Sequence, residues 1–383
     1  MSVYLDYNAS APIDHRVLEA MVESYKNTIG NADSRTHDFG DNARKVVENA
    51  RKQVASLLNV SSDEVFFTSG ATESNNIAIQ GLRDFAAENN KKHIITTAIE
   101  HKAVLGTVKA LEKEGFEIDV VSPDITGRVK VEDILNKVRT DTLLVSVMHV
   151  NNETGIIQPV KEIGNELAKL DVLFHIDATQ SCGKLVKEIK ELQYDMLSFS
   201  AHKLMGPQGI GCLILKKKGY RLPPVKPIMY GGQQEHGIRP GTIPVALVVG
   251  CGKACELANN EYDVNNNHAL EIKNLVYKEL EKAQISYSLN GAKEYCVNST
   301  VNICFPGVSS EALMIMSRQF CGVSNGSACT SQNYAPSYVL VAMGIPNEQI
   351  ESSIRISWGA NSNPDDVVTG VRSLIQTAKQ LLG

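Results

Sequence analysis

Along the first two thirds of the chain, short and nearly unbroken apolar runs alternate with segments whose apolar residues recur every three to four positions. The first pattern predicts buried strands and the second predicts amphipathic helices. Strands are expected at Glu64 to Thr68, His93 to Thr97, Ile118 to Val121, Thr142 to His149, Leu173 to Asp177, Met196 to Ser200 and Cys212 to Leu215. Between them fall helices at Arg16 to Asn27, about Arg44 to Leu58, Val104 to Glu114, Val131 to Lys137 and Val160 to Leu170. A further helix opens at the turn Gly70-Ala71-Thr72 and runs roughly to Glu88. Alternation of this kind, with strands that are apolar throughout, predicts an α/β fold with a mainly parallel sheet covered on both faces.

After Pro244 the pattern changes. Two long helices, Val245 to Leu257 and Val264 to Lys282, are followed by shorter strands at Thr300 to Phe305, Gly322-Val323 and Ile354 to Ser357. The second helix is highly charged and is expected to be mostly exposed. These elements predict a smaller α+β domain. A chain of 383 residues also exceeds what one core usually holds. The expected division is a large domain over 16–252 and a small domain made of 1–15 and 253–383.

Composition adds exclusions. Hydrophobic residues make up 43% and charged residues 21%, with a net charge of −5, so no direct nucleic-acid binding is expected. The N-terminus carries no signal peptide and no apolar run reaches membrane-spanning length, which predicts a cytoplasmic protein with no membrane partner. The eight cysteines show no zinc-type pairs; Cys251 and Cys255 sit at i, i+4 but have no histidine with them, so no metal site is expected.

The candidate chemistry lies at predicted strand ends. Ser200, His202 and Lys203 follow the strand Met196 to Ser200 and stand at the edge where open α/β sheets bind ligands. Gly70-Ala71-Thr72 offers helix-terminal N–H groups and a hydroxyl, as either a phosphate site or a plain helix cap. His101 follows the strand ending at Thr97. Asp177 ends its strand, with Gln180 three residues on. A buried carboxylate there needs a partner, and a protonated pyridine nitrogen is one. An aspartate on a pyridinium nitrogen together with a Schiff-base lysine is the pattern that binds pyridoxal phosphate.

In order, the chain also reads Asn8-Ala9, Gly30-Asn31, Ala71-Thr72-Glu73-Ser74, Glu100-His101, Asn151-Asn152-Glu153-Thr154-Gly155, Asp177-Ala178-Thr179-Gln180 and Arg239-Pro240-Gly241-Thr242. It closes with Gly326-Ser327-Ala328-Cys329-Thr330 and Arg355-Ile356-Ser357. Over nearly its whole length this resembles the cysteine desulfurases of the class V, aminotransferase-like family. The Gly-Ser-Ala-Cys-Thr stretch resembles the group with a long mobile catalytic loop.

The resemblance implies a fold-type I transferase with a seven-stranded, mainly parallel large-domain sheet and a smaller α+β domain. Pyridoxal 5'-phosphate is then the cofactor and L-cysteine the substrate, with sulfur passed as a persulfide on Cys329 to a protein acceptor. Lys203 resembles the Schiff-base lysine and His101 the ring-stacking proton relay. Asp177 matches the residue on the ring nitrogen and Gln180 the one on the phenolic oxygen. Ala71, Thr72, Ser200 and His202 match the phosphate cradle. Thr242 is similar to a threonine that reaches the partner subunit's phosphate, which implies a homodimer. Asn152 and Arg355 resemble the clamp on the substrate carboxylate, where a planar guanidinium fork suits the task.

Within Gly231 to Gly237, His236 stands where the family has an arginine. The rival readings are another class V enzyme, such as a selenocysteine lyase or a transaminase, and a non-catalytic sulfur-relay or scaffold subunit. The first would not need a loop cysteine. The second would not need Lys203, Asp177 and Cys329 together.

Overall fold

The computed structural model describes residues 2–326 and 336–383. Its strands are β1 (Val3–Tyr4), β2 (Val65–Thr68), β3 (His93–Thr97), β4 (Glu117–Val121), β5 (Thr142–Met148) and β6 (Leu173–Asp177). They continue with β7 (Met196–Ser200), β8 (Gly211–Leu215), β9 (Ser288–Leu289), β10 (Thr300–Cys304), β11 (Cys321–Gly322) and β12 (Ser353–Ser357). A seven-stranded sheet has the order β2-β8-β7-β6-β5-β3-β4. Strand β8 runs antiparallel to both of its neighbours, and the remaining pairs are parallel.

Strands β2, β3, β5, β7 and β8 are buried along their whole length, which is why they read as apolar runs rather than alternating ones. Successive side chains go to opposite faces. Val65, Phe67, Cys212 and Ile214 enter one core with the helices 38–58 and 245–260, while Phe66, Leu213 and Leu215 enter the other with the helix 71–80. A separate core holds Leu5, Ile272, Val276, Ile303, Phe305, Ile356, Trp358 and Val371 around a three-stranded sheet ordered β12-β10-β9.

Several expected bounds shift, each for a local reason. The helix expected from Arg44 begins at Asp38, because His37 caps it, with Gly40 N donating to His37 Nδ1 at 3.1 Å. The helix expected to run from the Gly70 turn to Glu88 is broken into Ala71–Gln80 and Arg83–Asn89. Gly81 lies at the break, where a Cβ would stand 2.6 Å from the Lys226 carbonyl oxygen. The charged helix, Tyr262–Lys282, buries one face through Ile272, Val276, Tyr277 and Leu280 instead of being mostly exposed. Cys255 packs in the large-sheet core, so the expected boundary at 252 falls inside a helix, Val245–Asn260, that belongs to that core.

One buried ion pair had no signal in the sequence. Arg51 Nη1 and Nη2 donate to the two Glu235 carboxylate oxygens at 2.9 and 2.7 Å, and Phe67 N donates to Glu235 Oε2 at 2.7 Å. Removing one partner leaves a desolvated charge alone. Glu235→Gln is therefore expected to destabilise the protein by about 3–5 kcal/mol, read as a lower denaturation midpoint at unchanged slope. A loss below about 1 kcal/mol would mean that water reaches the Arg51 guanidinium.

Candidate active site

The expected site residues collect at one edge of the large sheet. Ala71 and Thr72 follow β2, His101 follows β3, Asp177 ends β6 and Ser200 ends β7. His202 and Lys203 occupy the 3-10 turn Ala201–Lys203 directly after β7. Thr68 and Ser200 are both cross-strand partners of Gly211, so the ends of β2 and β7 stand on either side of the start of β8. Only a glycine fits there: a Cβ on Gly211 would lie 2.5 Å from the Phe199 carbonyl oxygen and 2.7 Å from Gly70 Cα. The close approach brings the helix Ala71–Gln80 against β7, where Ala71 N donates to Ser200 Oγ at 2.7 Å. Thr72 is exposed in the first turn of this helix, whose N–H groups point out of its end. His202 follows in the next turn, with Nδ1 3.1 Å from Ser10 Oγ. Burial, helped by the nearby Lys203 charge, pushes its imidazole down to about 4, so the ring is neutral at pH 7.

Asp177 is 3% exposed. Its Oδ2 accepts from Asn75 Nδ2 at 2.8 Å and its Oδ1 from Thr179 N at 3.0 Å. Both donors are neutral, so this buried carboxylate would gain from a cation at the sheet edge. His175, two residues earlier on β6, bridges Ser146 Oγ at 2.8 Å and Ser198 Oγ at 3.0 Å. Burial pushes that ring down to about 4. His101 caps the helix Lys102–Glu112, its Nδ1 accepting from Ala103 N at 3.1 Å. That bond makes Nδ1 the acceptor and puts the proton of the neutral ring on Nε2. Burial lowers the pKa of His101, which favours that neutral form. Glu100 beside it is fully buried, and desolvation raises its carboxyl to about 8.

Lys203 Nζ donates to the carbonyl oxygens of Asn8 at 2.6 Å and Ala9 at 2.5 Å. Gln180 Nε2 donates to the same Asn8 carbonyl at 2.9 Å. A second amine lies close by: Lys184 Nζ donates to Asn8 Oδ1 at 3.1 Å and Gln180 Oε1 at 2.9 Å. Burial first, then the charges of Lys203 and Arg355, bring Lys184 down to about 7. Arg355 on β12 is 3% exposed, and its Nη1 donates to the Asn152 carbonyl oxygen at 2.8 Å. The structure thus brings Asn152 and Arg355 together, and it adds Asp6, whose carboxylate accepts from Arg355 Nη2. Thr242 is exposed on the segment leading to the helix Val245–Asn260, which Arg239 ties to Glu73 through an Nε–Oε1 bond of 3.1 Å.

Cys329 lies outside the described residues. Both flanks of its segment meet one carboxyl group. Gly326, at φ +87°, packs so tightly that a Cβ would stand 2.5 Å from Glu153 Oε2, and the Ser337 hydroxyl donates to that same oxygen. Burial raises the Glu153 carboxyl to about 7. Glu100 and Glu153 fall within the sequence motifs above without a task there, and Asn75, just past the Ala71–Ser74 motif, was not singled out. Asn75 could have been found, because it is an amide on the buried face of a short helix. The contacts of Asp6, Asn8 and Ala9 cross the whole chain and left no local signal.

The class V aminotransferase profile matches residues 3–369 of the chain. A cysteine desulfurase IscS from Anaeromyxobacter sp. (strain K) is 42% identical over 381 residues, covering 99% of this chain and 93% of its own. The solved structure of a NifS-like protein superposes with a TM-score of 0.89 at 35% identity, covering 98% of this chain and 99% of that one. A structure of SspA in complex with cysteine has a TM-score of 0.80 at 33% identity, covering 93% of this chain and 98% of that one.

Proposed function

The chain belongs to the class V aminotransferase family, and on that premise we propose that it is a pyridoxal-phosphate-dependent L-cysteine desulfurase acting as a cytoplasmic homodimer. The observation that carries the reading is Asp177, a buried carboxylate held by two neutral donors at the edge where Lys203 presents its amine. The residues fit the cofactor on chemical grounds. Lys203 would hold its aldehyde carbon, Asp177 its ring nitrogen, Gln180 its phenolic oxygen and His101 its ring face. The Ala71 N–H, Thr72, Ser200 and His202 would hold its phosphate, joined by Thr242 of the partner subunit. Bound there, the cofactor supplies an electron sink for the substrate Cα.

The chain's own residues do the rest. Asn152 and Arg355 orient the substrate through its carboxylate. The Lys203 amine takes and returns protons at the substrate carbons, and His101, with its proton on Nε2, assists at the ring face. The Cys329 thiolate attacks the substrate sulfur. An S–S bond forms as the C–S bond breaks, and the electron pair stays with the carbon fragment, which is protonated to L-alanine. The persulfide then passes to a protein acceptor. We assign 16–252 to the large domain, extended to the end of the helix at Asn260, and the remainder to the small domain. Among the described residues no helix is long and apolar enough to cross a membrane.

Incubation of the purified protein with L-cysteine tests the reading. One alanine should appear for each sulfur transferred. A keto acid with loss of the amino group to the cofactor would identify a transaminase and overturn it.

Subunit sharing has its own check. Mixed Lys203→Ala and Thr242→Ala subunits should recover activity, because each heterodimer has one site with both lesions and one with neither. Proven exchange without recovery would place Thr242 in its own subunit's site.

A further inference from the structure

Arg355 is more buried than the acid that pairs with it. The Arg355 side chain is 4% exposed and the Asp6 side chain 17%. Asp6 engages the guanidinium at Nη2, while Nη1 is used by the Asn152 carbonyl. Among the described residues, Arg355 Nε is buried with no hydrogen-bond partner, and so is Asn152 Oδ1. A carboxylate bound side-on would use Nε and Nη2 together as a fork. Among the described residues, Asp6 therefore holds one prong of a fork whose other prong is unfilled.

The backbone of Asp6 is fixed. Asp6 bridges Ser357 beside β12, and its carbonyl accepts from Ala9 N at 3.0 Å. Its carboxylate is thus delivered to Arg355 by the main chain, yet it retains enough exposure to turn to water. A buried guanidinium stripped of its counter-ion is strongly unfavourable, so Arg355 needs a carboxylate both before and after a substrate arrives.

We propose that Asp6 is a positioning residue that stands in for the substrate carboxylate. It holds the Arg355 guanidinium between turnovers and is exchanged for the substrate's carboxylate, which fills the whole Nε–Nη2 fork. Loading the substrate swaps one anion for another, and the affinity of the site is set partly by how firmly Asp6 competes. This rests on the desulfurase reading above.

The probe is 3-mercaptopropionate, which has the substrate's thiol and carboxylate but no amine, measured as an inhibitor of alanine release from L-cysteine. Asp6→Asn keeps the shape and one acceptor but removes the competing charge. Its inhibition constant should fall by about three- to tenfold, while that of propane-1-thiol, which lacks the carboxylate, stays within about twofold of wild type. In an Arg355→Lys background the Asp6→Asn effect should vanish. Asp6→Ser gives the same reading if the asparagine variant does not fold. An inhibition constant that is unchanged or higher, in a variant with wild-type melting temperature and cofactor content, overturns the proposal, because an acid that only orients Arg355 would weaken carboxylate binding when neutralised. Wild-type alanine release is the control: if it is absent, the desulfurase reading fails, and if it is present without tightening in Asp6→Asn, this proposal alone fails.

Discussion

Lys203→Ala is expected to lose both covalent attachment of the cofactor and at least about 10³-fold in alanine release, because one side chain supplies the amine and the proton transfers at the substrate carbons. Borohydride reduction of the wild type should add the cofactor mass to the peptide containing Lys203, and the variant should carry none. The outcome is not trivial, because Lys184 stands nearby with its amine pushed down to about 7 and is thus partly neutral at physiological pH. On basicity alone Lys184 could serve as a nucleophile. Its place argues otherwise: it donates to the side-chain oxygens of both Asn8 and Gln180. Lys203 instead directly follows β7, the strand that ends in Ser200, and donates to the backbone carbonyls of Asn8 and Ala9. A reduced label on the Lys184 peptide in wild type would reverse the assignment.

Cys329→Ser should bind L-cysteine and the cofactor as wild type does, yet alanine release should fall by at least about 10³-fold, since a hydroxyl is far less nucleophilic than a thiolate toward sulfur. After a pulse of L-cysteine, mass spectrometry should place one extra sulfur on the Cys329 peptide of the wild type. The other thiol close in sequence is Cys321, which pairs with Val3 between β1 and β11. It is 1% exposed, and burial raises it to about 11, so it is protonated and enclosed at neutral pH. A persulfide on Cys321 alone, or an unchanged rate in Cys329→Ser, would remove Cys329 from the central step.

Most strands of the large sheet were legible because they are buried on both faces and therefore largely apolar, the edge strand β4 being the exposed exception, and the site followed because its residues stand at the ends of those strands. His101, Asp177, Ser200 and Lys203 needed only the strand assignment to be placed along one edge. Helix bounds were less legible where the cap was unusual, as at His37. The distant residues that hold the site residues were not legible. Asp6 and Arg355 are 349 positions apart, and Asn8 and Lys203 are 195 apart. Such contacts depend on how two sheets are set against each other, which no local spacing records. The same holds for Arg51 and Glu235, where two charged residues in unrelated segments become one buried pair.

The crossing of the N-terminal segment between the two sheets bears on the order in which the protein can assemble on the ribosome. The first strand made, β1, has as its partner β11, Cys321–Gly322. Asp6 and the Asn8 amide are likewise anchored by Ser357. The seven strands of the large sheet are all synthesised by Leu215, so that sheet can close early. The segment carrying Asn8 and Ala9 must then wait through the roughly 150 residues that separate Lys203 from Ser357, about 8–30 s at ordinary elongation rates. Until then the two carbonyls that receive the Lys203 amine belong to a strap with one end untied. The lysine is placed early in synthesis, and the carbonyls it bonds to are anchored only near the end.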